Sequence, residues 1–224
     1  MGPARRLSRA ELARLDLLAS ERCGLPGAVL MENAGRGAAD EVLGLLAGRG
    51  RVLLLAGPGN NGGDAYVVAR HLANAGVEVR VFATVPLAHL RGDAAIMRRA
   101  LESLGIAVED AGAEDVRAEL GRCAVVVDGL LGTGFRGEMR APIAGLVDLV
   151  NAARERSPFA VVALDLPSGL DADSGVAARP TIRADVTVTF AAWKIGFDAP
   201  EAQPWLGRIV LKSIGVPTDL LDRR

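Results

Sequence analysis

Val52-Leu53-Leu54-Leu55-Ala56-Gly57-Pro58-Gly59-Asn60-Asn61-Gly62-Gly63-Asp64 decides the fold. Five apolar residues in a row describe a strand covered on both faces, as in a parallel sheet sandwiched by helices. The glycine-rich turn and the helix expected over 64–75 then complete the first half of a β-α-β unit. Outward from this stretch the same alternation repeats. Strands are expected at 77–83, 106–108, 123–127, 161–166, 185–190 and 208–214. Helices are expected at 91–104, 113–120 and from Pro142 to about 156, with proline as the first helical residue. Before the sheet, Ser8 and Glu11 have capping-box spacing. Leu12, Leu15, Leu18 and Ala19 follow at helical spacing up to Gly24 and Pro26, and a second helix covers 28–46. The expected architecture is one α/β domain over residues 1–224. It is three-layer α/β/α, Rossmann-like, with a mostly parallel central sheet.

Composition narrows the class. Of 224 residues, 50% are hydrophobic and 24% charged, and the net charge is −1. So neutral a chain lacks the basic field of a nucleic-acid binder, and 4% aromatics leave few bases to stack on. No apolar run has membrane-spanning length, and no apolar stretch follows Arg5 and Arg6 as in a secretory signal. Two cysteines, Cys23 and Cys123, suit a reducing cytoplasm.

In such a sheet ligands gather at the carboxyl ends of the strands. Three of those ends are unusual. Gly57 to Asp64 spells G-x-G-x-x-G by letter, where backbone approaches a phosphate and a helix N-terminus offers free N–H groups. A dehydrogenase would also place an acid at the end of the next strand. That strand ends Phe82-Ala83-Thr84, with Glu78 at its start. The second stretch, Asp128 to Gly137, sets an acid before a glycine loop able to form an anion nest, with Arg136 and Arg140 nearby. The third, Asp165-Leu166-Pro167-Ser168-Gly169-Leu170-Asp171, sets another acid beside a hydroxyl. Converging, Asp128, Asp165, Asn60, Asn61 and Ser168 would supply hard oxygens for a low-charge cation. They would also supply two carboxylates whose proton affinities can split.

Together with Leu30-Met31-Glu32-Asn33-Ala34-Gly35, these stretches resemble the NAD(P)H-hydrate epimerases, the YjeF N-terminal domain family, over nearly the whole chain. N-G-G-D joined to P-S-G-x-D is far more specific than a lone G-x-G-x-x-G. The resemblance implies exchange of the R and S epimers at the hydrated C6 carbon of NADHX or NADPHX, in a Rossmann-like homodimer. It implies one potassium ion per subunit, on Asn61, Asp128 and Ser168. It implies dinucleotide contacts from Asn60, Asn61, Gly62, Gly63 and Asp64, from Gly132, Thr133, Gly134, Phe135, Arg136, Gly137 and Glu138, and from Asp165. Proton transfer falls to Asp165, with Asp128 assisting or holding the cation. Ala65 stands where the family usually has glycine. Lys194 sits where the family often has lysine and is an outside candidate, an exposed lysine being the commoner case. Members are often fused to a dehydratase, so coupling to a separate one is expected, because the chain ends at Arg224. The glycine-rich second helix, with Gly35 and Gly37, is a candidate for a close interface between subunits. Two other readings remain: a binding or dimerisation scaffold of the kind found in messenger-RNA decapping enhancers, and an NAD(P)-dependent oxidoreductase.

Overall fold

The computed structural model describes residues 5–48 and 50–222. In chain order the elements are β1 (Arg6–Leu7), α1 (Arg9–Cys23), α2 (Gly27–Leu46), β2 (Arg51–Ala56), α3 (Asn60–Asn74), β3 (Val79–Ala83) and α4 (Gly92–Ser103). There follow β4 (Val108–Asp110), α5 (Ala113–Leu120), β5 (Cys123–Gly129), α6 (Ile143–Arg154) and β6 (Ala160–Leu164). The chain closes with β7 (Val186–Phe190), β8 (Trp193–Lys194), α7 (Gln203–Leu206) and β9 (Arg208–Lys212).

Seven strands form one sheet in the order β4-β3-β2-β5-β6-β7-β9, and every pairing is parallel. Alternate residues of β2 serve opposite layers, as the pleat requires. Val52, Leu54 and Ala56 pack with α1 to α4, whereas Leu53 and Leu55 pack with α5 and α6. That two-sided burial is why the strand reads as an unbroken apolar run. The chain leaves β2 toward β3 on one side and returns to β5 on the other. The carboxyl ends of β2 and β5 therefore flank the point where strand order reverses, which is where an open α/β sheet has its crevice. No helix among the described residues is long and apolar enough to cross a membrane.

Three expectations are corrected. Helix α3 begins at Asn60, not Asp64. Gly59 caps it in extended conformation, and Gly63 N–H already reaches the Gly59 carbonyl at 3.2 Å. The glycines there serve close packing: a Cβ on Gly62 would lie 2.1 Å from the Gly57 oxygen, and one on Gly63 2.5 Å from Met31 Sδ. Strand β4 lies two residues later than its apolar letters suggest, because Val108 pairs with Val81 in register. Strands β1 and β8, two residues each, pair only with one another and leave no periodic signal.

The third correction concerns α2. A Cβ on Gly35 would sit 2.4 Å from Val67 Cβ and 3.0 Å from the Asp64 carbonyl, and one on Gly37 3.2 Å from Lys212. The close interface these glycines permit is within the chain, chiefly α2 against α3. Gly44, in the same helix, has nothing within 4 Å of its missing Cβ. Alanine gains about 1 kcal/mol of helix propensity at either site, but at Gly35 overpacking costs about 1–3 kcal/mol. Gly35→Ala is expected to lower the unfolding free energy and Gly44→Ala to raise it, read as opposite shifts of the urea midpoint at constant slope.

Candidate functional site

The three unusual strand ends meet. Ala56 pairs with Gly129, and Gly57 N–H donates to the Gly129 carbonyl at 3.0 Å. A Cβ on Gly57 would fall 1.7 Å from the Leu130 oxygen, so only glycine lets the two turns close on each other. Asp128, at the end of β5, has no exposed surface. Its carboxylate accepts from Ser168 N–H at 2.8 Å, Ser168 Oγ at 2.6 Å and Leu130 N–H at 3.2 Å. Ser168 Oγ in turn accepts from Leu131 N–H at 2.8 Å. Burial lifts the Asp128 carboxyl to about 6, against the lowering effect of the Ser168 and Leu130 donors.

Asn61 completes this group from the first turn of α3. Its amide nitrogen donates to the Leu131 carbonyl at 2.9 Å. Its Oδ1 is buried and has no hydrogen-bond partner. A buried acceptor left unpaired is costly, and it points to something the protein itself does not supply. Among the described residues no cluster of three His, Cys, Asp or Glu could hold a metal. One carboxylate among neutral amide, hydroxyl and carbonyl oxygens instead fits a hard cation of low charge.

A second group lies beside the first. Asp165 follows β6 in a left-handed conformation, with φ 65°. Such backbone is uncommon outside glycine, although Asp tolerates it better than most, and it is often found at functional positions. Its Oδ1 accepts from Phe190 N–H at 3.2 Å and forms an ion pair with Lys194 Nζ. Lys194 is not the exposed lysine expected. It is 1% exposed, and its ammonium also donates to the carbonyls of Phe190 at 3.2 Å and Ala192 at 3.4 Å. β1 holds it in place, since Leu7 pairs with Lys194. Asp64, in the second turn of α3, is 8% exposed. Burial first, then the charges of Asp165 and Asp16, push its carboxyl well above the usual range, with Lys194 opposing. Asp16 of α1 keeps exposed surface at the rim, yet desolvation and then Asp165 lift it to about 6.

Of the expected residues, Asn61, Asp128 and Ser168 form the first group, and Asp64 and Asp165 belong to the second. Asn60 is exposed at the start of α3. Gly132, Thr133 and Phe135 are half-buried, and Gly134, Arg136, Gly137 and Glu138 are exposed. A Cβ on Gly132 would lie 3.2 Å from Asn61 Cβ, which ties that loop to the crevice. Arg136 reaches Asp173 at 3.5 Å. Sequence reasoning missed Asp16, whose only signal is its position beside Leu12, Leu15 and Ala19 on the buried edge of α1. A groove of about 590 Å³, lined by Asn151, Arg179, Glu201 and Trp205 among others, shares no residue with the crevice.

Residues 27–196 match the family described as YjeF-related protein N-terminus. The chain is 44% identical to an NAD(P)H-hydrate epimerase of Rhodopirellula baltica, over 94% of this chain and 84% of that one. It is 39% identical to an NAD(P)H-hydrate epimerase of Pirellula staleyi, over 93% and 91%. It is 42% identical to a bifunctional NAD(P)H-hydrate repair enzyme of Thermanaerovibrio acidaminovorans, covering 91% of this chain and 39% of that longer one. The crystal structure of yeast ynu0 shares the fold, with TM-score 0.78 and 24% identity over 93% of this chain and 88% of that one.

Ser168 is the keystone of the first group. Ser168→Ala strands Leu131 N–H and removes one of three donors to a buried carboxylate. It is expected to cost about 1–3 kcal/mol, read from denaturant unfolding beside the wild type.

Proposed function

This chain belongs to the NAD(P)H-hydrate epimerase family, and on that premise we propose how its crevice carries out the exchange. The reaction interconverts the epimers of hydrated NADH and NADPH in cofactor repair. It involves no net redox change and no phosphoryl transfer. The hydroxyl of the hydrated carbon leaves and returns on the other face, or the ring opens and recloses. Both routes move protons on and off oxygen and nitrogen, so both need a positioned acid and base.

One observation carries the assignment. Asp165 is the carboxylate that is at once partly open, with its side chain 16% exposed, and fixed by a buried ammonium. It handles the proton at the substrate hydroxyl, and Lys194 holds it in place. Asp128, buried and oriented by its three donors from Ser168 and Leu130, serves the other role expected of it and holds the cation with Asn61 and Ser168. That ion is proposed as potassium, and the unpaired Asn61 Oδ1 supports it. Bound there, it would supply a fixed positive charge that offsets the Asp128 carboxylate and steadies the loops around it. The N-terminus of α3, from Asn60 to Asp64, and the Gly132 to Glu138 loop bind the dinucleotide, with free N–H groups facing its phosphates.

A homodimer is part of the proposal, and its interface lies away from Gly35 and Gly37, whose approach surfaces Val67 and Lys212 already cover. A cytoplasmic setting is supported by two free thiols, Cys23 and Cys123. Coupling to a second repair activity is supported by the bifunctional relatives, of which the chain spans about two fifths. The oxidoreductase reading loses its ribose-binding acid: after β3 stands Thr84, its N–H bonded to the Ala56 carbonyl. A scaffold would have no use for a buried Lys194–Asp165 pair.

The test separates the R epimer chromatographically and follows S appearing over the spontaneous rate. Wild type is expected to accelerate exchange. Asp165→Asn is expected to lower kcat by about 10²-fold or more while NADP⁺ affinity, measured by calorimetry, holds. Wild-type exchange by that variant would remove Asp165 from the chemistry.

A further inference from the structure

Asp64 is a buried ionisable group to which the mechanism above gives a place in the dinucleotide-binding turn but no proton to move. It is 8% exposed, and no donor among the described residues bonds its carboxylate. The other buried acids among the described residues are engaged: Asp128 by Ser168 and Leu130, and Glu119, at the far edge of the sheet, by Arg51 and Arg80. The charges that act on Asp64 are those of Asp165 after β6, Asp16 from α1 and Lys194 of β8. The helices packed against α3 turn their charges elsewhere: Glu32 of α2 to Arg70 and His71, Arg98 of α4 to Glu102 and the Val85 carbonyl. Three carboxyls thus share one ammonium, and Asp165 holds that ammonium directly.

Asp16 is brought there by construction. Strand β1 runs beside β8, placing the N-terminal segment against Lys194. Ser8 and Glu11 close a capping box at the start of α1. Arg9 N–H then donates to Asp173 at 2.8 Å, and its guanidinium pairs with Asp171 at 3.3 Å. The helix is pinned to the loop after β6, with Asp16 two turns on. It lies outside residues 27–196 that match the family.

We propose that Asp64 is the acid that delivers a proton to the substrate hydroxyl, opposite Asp165 as the base, and that Asp16 is a positioning residue that connects Asp64 to solvent. The inference rests on the epimerase reading and assigns the second half of its acid–base pair. Asp64 gives its proton to the hydroxyl oxygen on the hydrated carbon. The carbon–oxygen bond breaks and its electron pair leaves with water, while the ring-nitrogen lone pair forms a carbon–nitrogen double bond. Water then adds to the opposite face. That π pair returns to nitrogen, and the proton of the added water goes to Asp165. Asp165 releases it to solvent, and Asp64 regains one from solvent on the exposed side of Asp16.

The test is the kcat–pH profile of epimer exchange for wild type, Asp64→Asn, Asp16→Asn and Asp165→Asn, with NADP⁺ affinity as the control. Asp64→Asn is expected to lower kcat by about 10²-fold or more, a loss well beyond any accompanying change in NADP⁺ affinity. Asp16→Asn removes a negative neighbour, so Asp64 ionises more easily. The alkaline limb of kcat is expected to move to lower pH with KM unchanged, which a merely structural role would not produce. Asp64→Asn within about threefold of wild-type kcat, or an unmoved limb in Asp16→Asn, overturns the inference. If Asp64→Asn does not fold, the limb decides alone. A slow Asp165→Asn beside a wild-type Asp64→Asn overturns this inference only, whereas a wild-type Asp165→Asn overturns the role given to Asp165 above.

Discussion

A carboxylate with no exposed surface has to be met by donors, and Asp128 fixes the rest of the site by that requirement. Ser168 N–H, Ser168 Oγ and Leu130 N–H satisfy it, and the same serine oxygen receives Leu131 N–H. The loop after β6 is thereby tied to the loop after β5. The latter is tied to the β2–α3 turn through Gly57 and Asn61. Three segments distant in sequence become one wall. A buried polar network of this kind is worth its cost only when every member is satisfied. Within this network Asn61 Oδ1 is left without a partner among the described residues, which is the observation that supports the proposed ion.

The sheet gives that wall its address. Parallel strands with helices on both faces leave their carboxyl ends as the free edge, and the order reverses between β2 and β5. Two kinds of polar group sit there with different burial. The closed group of Asn61, Asp128 and Ser168 is the one proposed to hold a cation. The more open group of Asp165, Asp64 and Asp16 around Lys194 is the one proposed to move protons at the substrate. The N-terminal segment closes the second group, because β1 and α1 lie along β8 and the loop after β6. Separation of a closed carboxylate from more open ones lets each be tuned by its own surroundings.

Much of this is legible in the letters. The continuous apolar runs at 52–56 and 123–127 name the central strands, because burial on both faces removes alternation. The acids and glycines after three strand ends name the crevice, since sheet topology alone decides where such ends lie. What is hidden has identifiable causes. The start of α3 is obscured because Asn and Gly signal turns by propensity, whereas Gly62 and Gly63 are selected here by contact with Gly57 and Met31. Lys194 reads as a surface residue because a two-residue strand, β8, has no periodicity and its partner β1 lies far away in sequence. Asp16 is masked by the amphipathic pattern around it. Neither letter nor spacing tells that α1 lies over a carboxylate cluster.

Cation and nicotinamide are proposed to meet in the switch-point crevice. A crystal structure grown in potassium buffer with NADP⁺, using long-wavelength anomalous scattering to locate the ion, tests this most directly. The predicted result is a potassium peak bonded to Asn61 Oδ1, with Asp128 and Ser168 beside it and the nicotinamide ring over Asp64 and Asp165. A dinucleotide seated instead in the groove of Asn151, Arg179 and Trp205, with no potassium peak at Asn61, would contradict it.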